Sequence, residues 1–201
     1  MHQRSPKSSF RYIAFEGIDG SGKTTQAKRF YSYLQNLGYN VFYTKEPGGV
    51  EGSLRELILN HKWNKKSELF LFLADRALNA EIIKRKIDAG YIVVSDRSMY
   101  STLAYQGFGE GLNLDFLIEL NMFATGGLKP DVVFCFDIDL NTMKDRVKNP
   151  DVIELKSREF FDRVRRGYIS LAETEKNFFL IDGSKTEDEV FEEVKRIWES
   201  L

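Results

Sequence analysis

The sequence predicts an α/β fold: a five-stranded parallel sheet with helices on both faces. Five short apolar runs read as buried strands: "YIAFE", "VFYTK", "YIVVSD", "VVFCFDI" and "FFLID". Helical stretches alternate with these runs, the pattern of a parallel sheet covered on each side. The length, 201 residues, fits one domain with a real core.

The elements follow in order. Tyr12–Glu16 is the first strand, and the stretch from Lys23 to about Leu37 is a helix closed by Gly38. Val41–Lys45 is the second strand, and "SLRELILN" a short helix. A long amphipathic helix runs from Ser67 to about Asp88 and ends at Ala89-Gly90. Tyr91–Asp96 is the third strand, followed by helical stretches near Tyr100–Tyr105 and Leu114–Ala124. After the breaker Lys129-Pro130 comes the fourth strand, Val132–Ile138, with a helix from about Leu140. The polar stretch "KNPDVIELKS" interrupts the pattern and reads as a short lid, about Lys148–Arg158. A helix over Arg158–Glu175, the strand Phe178–Asp182 and a helix over about Thr186–Leu201 complete the chain. Residues 1–9 read as a frayed tail before a single domain over 10–201.

Charge and composition remove several function classes. Lys plus Arg number 29 and Asp plus Glu 30, for a net charge of −1, which disfavours a nucleic-acid coat or a polybasic membrane binder. The longest apolar runs, such as "LFLFLA", fall far short of a membrane span. The start has no apolar core and is not a secretory signal. The lone cysteine, Cys135, excludes an intramolecular disulfide and reads as a buried thiol. These features suggest a cytoplasmic protein that engages neither membrane nor nucleic-acid polymer.

The segment "FEGIDGSGKTTQ" carries the chemistry. Gly17 to Thr24 fits G-x-x-x-x-G-K-[ST], after a strand and opening a helix, the context that a phosphate-binding P-loop requires. Backbone N–H groups of Gly17, Ile18, Asp19, Gly20, Ser21, Gly22, Lys23, Thr24 and Thr25 would line a concavity for phosphate oxygens. The helix N-terminus adds roughly half a positive charge. Lys23 would reach the β- and γ-phosphates, and the Thr24 hydroxyl would ligate Mg²⁺. The expected cofactors are therefore ATP and Mg²⁺ on a P-loop NTPase fold.

Rival P-loop classes lack their marks. A switch GTPase needs N-K-x-D and D-x-x-G, but the chain has "NKKS" at Asn64–Ser67, and Asp96 is followed by "RSM". No L-S-G-G-Q stretch of a transporter ATPase occurs. A small-molecule kinase remains. The histidines, His2 and His61, lie in a tail and a polar loop and suggest neither a base nor a metal site.

"FEGIDGSGKTTQ", "TKEPGG", "LFLADRALN", "DRSMYSTLAYQG" and "LIDGS" occur in the order and spacing of thymidylate kinases, and the chain resembles that family from about Tyr12 to Trp198. The resemblance implies ATP-dependent phosphorylation of dTMP to dTDP by a homodimer formed through the long helices around Ser67–Asp88 and Leu114–Ala124. The alternatives are another nucleotide or deoxynucleoside kinase, or a regulatory nucleotide-binding protein with weak turnover. Arg97 corresponds to the family's acceptor-phosphate arginine, with Arg55 a second. Asp96 corresponds to the acidic group near Mg²⁺, and Asp19 to an acid near the sugar 3′-hydroxyl and the metal. Phe72 and Arg76, four apart on one helix face, correspond to the thymine stack and the base-oxygen donor. The resemblance further implies that Thr102 and Gln106 meet the base edge, that Tyr105 crowds the 2′ position and that Glu46 orients the acceptor side. A cis bond before Pro47 is cheap enough to occur.

The chain departs from the family pattern in four places. Lys45 stands where arginine is usual and lacks the planar fork. The spacing from "EPGG" to "LR" is about two residues shorter than in the family. Val152 replaces the lid arginine, and Gly20 follows Asp19 where another branch has arginine. A cation of this kind can be worth roughly a thousandfold in rate. Arg146, Lys148, Lys156 and Arg158 are the candidate replacements, with Arg146 and Arg158 foremost.

Overall fold

A computed structural model describes residues 10–50, 53–148 and 150–201. The expected tail, residues 1–9, lies outside the described residues, as does Asn149 within the expected lid. The strands are β1 (Tyr12–Glu16), β2 (Val41–Lys45), β3 (Ile92–Asp96), β4 (Val132–Asp137) and β5 (Phe178–Asp182). They form one parallel sheet in the order β2-β3-β1-β4-β5. The helices are α1 (Lys23–Asn36), α2 (Arg55–Leu59), α3 (Lys65–Asp88), α4 (Met99–Thr102), α5 (Leu114–Thr125), α6 (Leu140–Arg146), α7 (Arg158–Thr174) and α8 (Glu187–Ser200).

Strand side chains alternate between the faces. Ile13 and Phe15 of β1 and Phe134 and Phe136 of β4 join Ala27, Phe30 and Leu34 of α1 and Val190 and Val194 of α8 in one buried cluster. Ala14, Val133 and Cys135 point the other way, into a cluster with Leu73 of α3, Leu117 of α5 and Phe160 and Val164 of α7. Both faces are therefore apolar, which is why the strands read as continuous hydrophobic runs.

Several boundaries shift by a residue or two, and two of the differences bear on the site. Helix α3 starts two residues early because Asn64 caps it, accepting from Lys66 N at 3.1 Å and Ser67 N at 3.0 Å. The helical stretch after β3 runs past Tyr105: α4 passes into a π-helical segment, Leu103–Gly109. A Cβ on Gly109 would lie 2.6 Å from the Phe160 ring, so glycine lets α7 pack directly on this widened turn. Such π segments are frequent at functional sites, and this one carries Tyr105 and Gln106.

Register brings the strand ends together. Phe15 pairs with Asp96, and Lys45 also pairs with Asp96. Arg97 N donates to Phe15 O at 2.9 Å, and Glu46 N to Asp96 O at 2.9 Å. The loops after β1, β2 and β3 thus emerge side by side at the carboxyl edge, where open α/β sheets bind ligands. Among the described residues no helix is long and apolar enough to cross a membrane.

The aromatic cluster should dominate stability. Phe134 is fully buried, with ring centroids 5.4 Å from Phe15 and 5.8 Å from Phe30. Phe134→Ala should cost about 3–5 kcal/mol, measured as a lower urea midpoint with an unchanged slope.

Candidate active site at the strand ends

The loop after β1 folds as a phosphate cradle. A Cβ on Gly17 would sit 2.6 Å from Phe136 O, so only glycine fits there. Gly22 caps α1 with φ 89°, a left-handed conformation, and no side chain caps the helix. Nor does an acidic residue occupy the first turn. The N–H groups and dipole of a 14-residue helix therefore face outward for an anion. Gly20, Ser21, Gly22, Lys23, Thr24 and Thr25 line a cleft of ≈ 500 Å³, with Arg146 and Lys185 on its far side. Ser21 Oγ is buried and partnerless among the described residues. Ile18, by contrast, buries its side chain in the core and can offer only backbone.

Lys23 Nζ donates to Asp19 Oδ1 at 2.9 Å. Arg97 Nη2 also donates to Asp19 Oδ1, and the Tyr105 hydroxyl to Asp19 Oδ2 at 2.9 Å. Burial alone would raise the Asp19 pKa, but the Arg97 guanidinium and the Lys23 ammonium outweigh it and hold the carboxyl far below the usual range. Arg97 lies 5.0 Å from the Tyr105 ring centroid. Its backbone is left-handed, φ 79°, a strain of about 1–3 kcal/mol for a non-glycine residue. Glu16 braces this turn. Its carboxylate accepts from Ser98 N at 2.7 Å, Ser101 Oγ at 2.7 Å and Tyr168 OH at 2.8 Å. Ser101 Oγ in turn accepts from Arg97 Nη1 at 3.2 Å. Burial raises the Glu16 pKa, against the opposing pull of Arg97 and these hydroxyls.

Thr24 Oγ1 donates to Asp96 Oδ2 at 2.5 Å, while Asp96 Oδ1 is buried and partnerless among the described residues. A hydroxyl and a carboxylate so placed suit a hard cation. Among the described residues no group of three or more His, Cys, Asp and Glu could hold a metal, so phosphates and water would supply the remaining ligands.

A second cleft opens beside the first. Glu46, Arg55, Phe72 and Arg76 line one part of it, and Arg97, Thr102, Tyr105 and Gln106 another. Every residue expected on the acceptor side is therefore in one place, contributed by the turn after β2, by α2 and α3, and by the segment after β3. Asp19 lines this cleft and Lys23 the other, so the Asp19–Lys23 pair is where the two meet. Arg76 is buried at 3% exposure. It donates to Glu46 Oε2 at 2.7 Å, Thr102 Oγ1 at 2.5 Å, Asn121 Oδ1 at 2.6 Å and Ser98 O at 2.9 Å. Of the five guanidinium N–H groups these four bonds leave one, on Nη2, for the cleft. Asn79 holds the other Glu46 oxygen at 3.1 Å. The Glu46–Pro47 bond is cis. Asp75 accepts from Gly48 N at 3.1 Å and Leu54 N at 2.8 Å, fastening the turn to the start of α2. Arg55, on that helix, donates to Pro47 O at 2.9 Å.

The lid candidates separate. Arg146 donates to Gly20 O at 3.2 Å and Gly183 O at 3.0 Å, against the phosphate loop. Arg158 bonds Asn141 Oδ1 at 2.9 Å and lines neither cleft. Lys156 is held by Glu68 at 2.9 Å and by Glu110 at 2.5 Å. Val152 packs against the hydrophobic core, while Asp151, Ile153 and Glu154 wall the second cleft. Burial raises the Glu154 pKa. Sequence reasoning missed Glu16, Glu68, Asp75, Asn79 and Asn121. Glu16 alone gave a signal, a carboxylate ending a buried strand.

The chain resembles known proteins over nearly its whole length. The family model described as thymidylate kinase matches residues 15–194. A thymidylate kinase of Thermosipho melanesiensis is 46% identical over 195 residues, 94% of this chain and 98% of that protein. One from Thermosipho africanus is 43% identical, covering 94% and 97%. The crystal structure of thymidylate kinase from Ehrlichia chaffeensis superposes with a TM-score of 0.75 at 32% identity, covering 94% and 98%.

The placement of the lid cations gives a sharp expectation. Arg146→Ala should lower turnover at least tenfold and weaken ATP binding, whereas Arg158→Ala should stay within about threefold of the parent. Steady-state ADP release and calorimetric ATP titration distinguish the two.

Proposed function

The chain belongs to the thymidylate kinase family, whose members phosphorylate dTMP to dTDP with ATP, and we propose that its two clefts divide that reaction between donor and acceptor. The observation that carries this reading is the shared carboxylate: Asp19 contacts Lys23 of the donor cleft and Arg97 of the acceptor cleft. A dTMP phosphate oxygen attacks the γ-phosphorus of ATP, the bond to the bridging oxygen breaks, and ADP leaves with that electron pair. No strong base is needed, because the attacking phosphate is already anionic. Catalysis then rests on placing cations around the transferring group. Lys23 faces the ATP phosphates, Arg97 and Arg55 the dTMP phosphate, and Arg146 closes the donor side.

Mg²⁺, when bound, neutralises charge on the phosphates. Thr24 and Asp96 fit its protein ligands. Asp19 is kept for the cations, since Lys23, Arg97 and Tyr105 already engage both of its oxygens. Phe72, Arg76, Thr102 and Gln106 receive the base, and Tyr105 limits the sugar to deoxyribose. The acceptor cleft measures ≈ 140 Å³, below the ~300 Å³ of ordinary ligand sites. Segment 151–154 walls this cleft and is placed to close over a bound nucleotide as a lid. The setting is read as cytoplasmic, in keeping with the free, buried thiol of Cys135.

A homodimer completes the reading. Phe70 of α3 is 58% exposed, and Phe116 and Phe123 of α5 are 53% and 88% exposed, on two helices that pack together. Large apolar side chains exposed on two paired helices are what a second copy would cover. Phe70→Asp combined with Phe123→Asp should give a monomer in analytical ultracentrifugation; an unchanged sedimentation coefficient would discard this interface.

Substrate choice tests the function directly. ATP with each nucleoside monophosphate, followed by ADP release, should show dTMP preferred over dUMP by about 10- to 200-fold, the worth of one methyl group in an apolar pocket. AMP or GMP as the better acceptor would replace the thymidylate reading with that of another nucleotide kinase.

A further inference from the structure

Glu68 contributes to neither cleft wall, yet it touches the residue that faces the base. It sits in the first turn of α3, 5% exposed, and accepts from Gln106 Nε2 at 3.1 Å. Gln106 is 2% exposed and lines the acceptor cleft. On its other side Glu68 accepts from Lys156 at 2.9 and 3.2 Å.

An amide side chain has two unlike ends, a donor NH₂ and an acceptor oxygen, and rotation by half a turn exchanges them. A carboxylate only accepts. Beside Glu68 the Gln106 amide must therefore present its NH₂ to Glu68 and turn Oε1 elsewhere. Among the described residues no donor reaches Gln106 Oε1, so this acceptor is left to the cleft. An acceptor here selects a base with an N–H on the facing edge. Thymine and uracil carry N3–H; cytosine has a bare N3 that would repel the oxygen.

We propose that Glu68 is a specificity-determining positioning residue: it locks the Gln106 amide with its oxygen toward the acceptor base, so that pyrimidines bearing N3–H are accepted and cytosine is rejected. Lys156 keeps Glu68 in place and ties the lid to the same lock. The inference rests on the dTMP reading above and adds a residue that never touches the substrate.

The test compares kcat/KM for dTMP and dCMP in wild type, Glu68→Gln and Lys156→Met. Glutamine at 68 can accept or donate, so Gln106 is free to turn over. The dTMP-to-dCMP ratio should then fall at least tenfold, with the KM for ATP changed less than twofold. Lys156→Met retains the carboxylate and should keep the ratio within about threefold, whatever its turnover. A ratio unchanged in Glu68→Gln overturns the proposal while leaving the dTMP reading intact, and equal losses in both variants assign the effect to the lid pair and overturn it as well. A wild type inactive on dTMP removes the reading itself. Should Glu68→Gln fail to fold, NMR of the wild type decides. On dTMP binding the Gln106 side-chain NH₂ should keep its shift and the ligand N3 proton should become protected from exchange. An NH₂ that moves, or an N3 proton that keeps exchanging, overturns the proposal.

Discussion

Two cations from different strand ends converge on one carboxylate, and the site is built around that contact. Lys23 follows β1, Arg97 follows β3, and Asp19 touches both. Bringing two positive charges this close and partly out of water would be unfavourable without an anion between them. Asp19 supplies it, and its strongly lowered pKa is the electrostatic sign of the arrangement. The geometry depends on the sheet register that sets Asp96 beside Phe15, because that pairing delivers Arg97 to the mouth of the phosphate loop.

Behind this contact lies a layer of buried polar groups that face protein. Glu16 holds the strained turn at Arg97 through the backbone and hydroxyl of Ser98 and the hydroxyls of Ser101 and Tyr168. Glu46 and Asn121 hold Arg76 from opposite sides. A buried ion pair such as Arg76–Glu46 adds little net stability, yet removing one partner costs several kcal/mol. Its value here is orientation: most of the Arg76 donors are committed to protein, so the remaining one points in a fixed direction. Preorganisation of this kind is how a site stabilises charge without reorganising during reaction.

The lid illustrates how a missing charge can be accommodated. Val152 packs inward with other apolar side chains, so the segment gains core contact at the position where the resemblance leads one to expect an arginine. Of the lid candidates, Arg146 at the end of α6 reaches the phosphate loop, where it donates to the carbonyl oxygens of Gly20 and Gly183. Lys156 is neutralised by Glu68 and Glu110 and acts as a fastening between lid and body.

The sequence by itself determined the sheet, the helices and the phosphate loop, because each rests on local signals. Strands buried on both faces read as unbroken apolar runs, and the glycines of the loop follow from close backbone approach. The resemblance further singled out the residues expected on the acceptor side, and all of them line one cleft. Tertiary structure decided the rest. That Arg146 and not Arg158 reaches the phosphate loop depends on how α6 leaves β4, which no local pattern encodes. The partners of Arg76 lie 22 to 45 residues away along the chain. Glu68 carries no sequence signal of its own; only the tertiary structure brings it against Gln106, 38 positions further along the chain. Long-range hydrogen bonds leave no periodic trace, because they are fixed by the meeting of elements and not by the sequence around either partner.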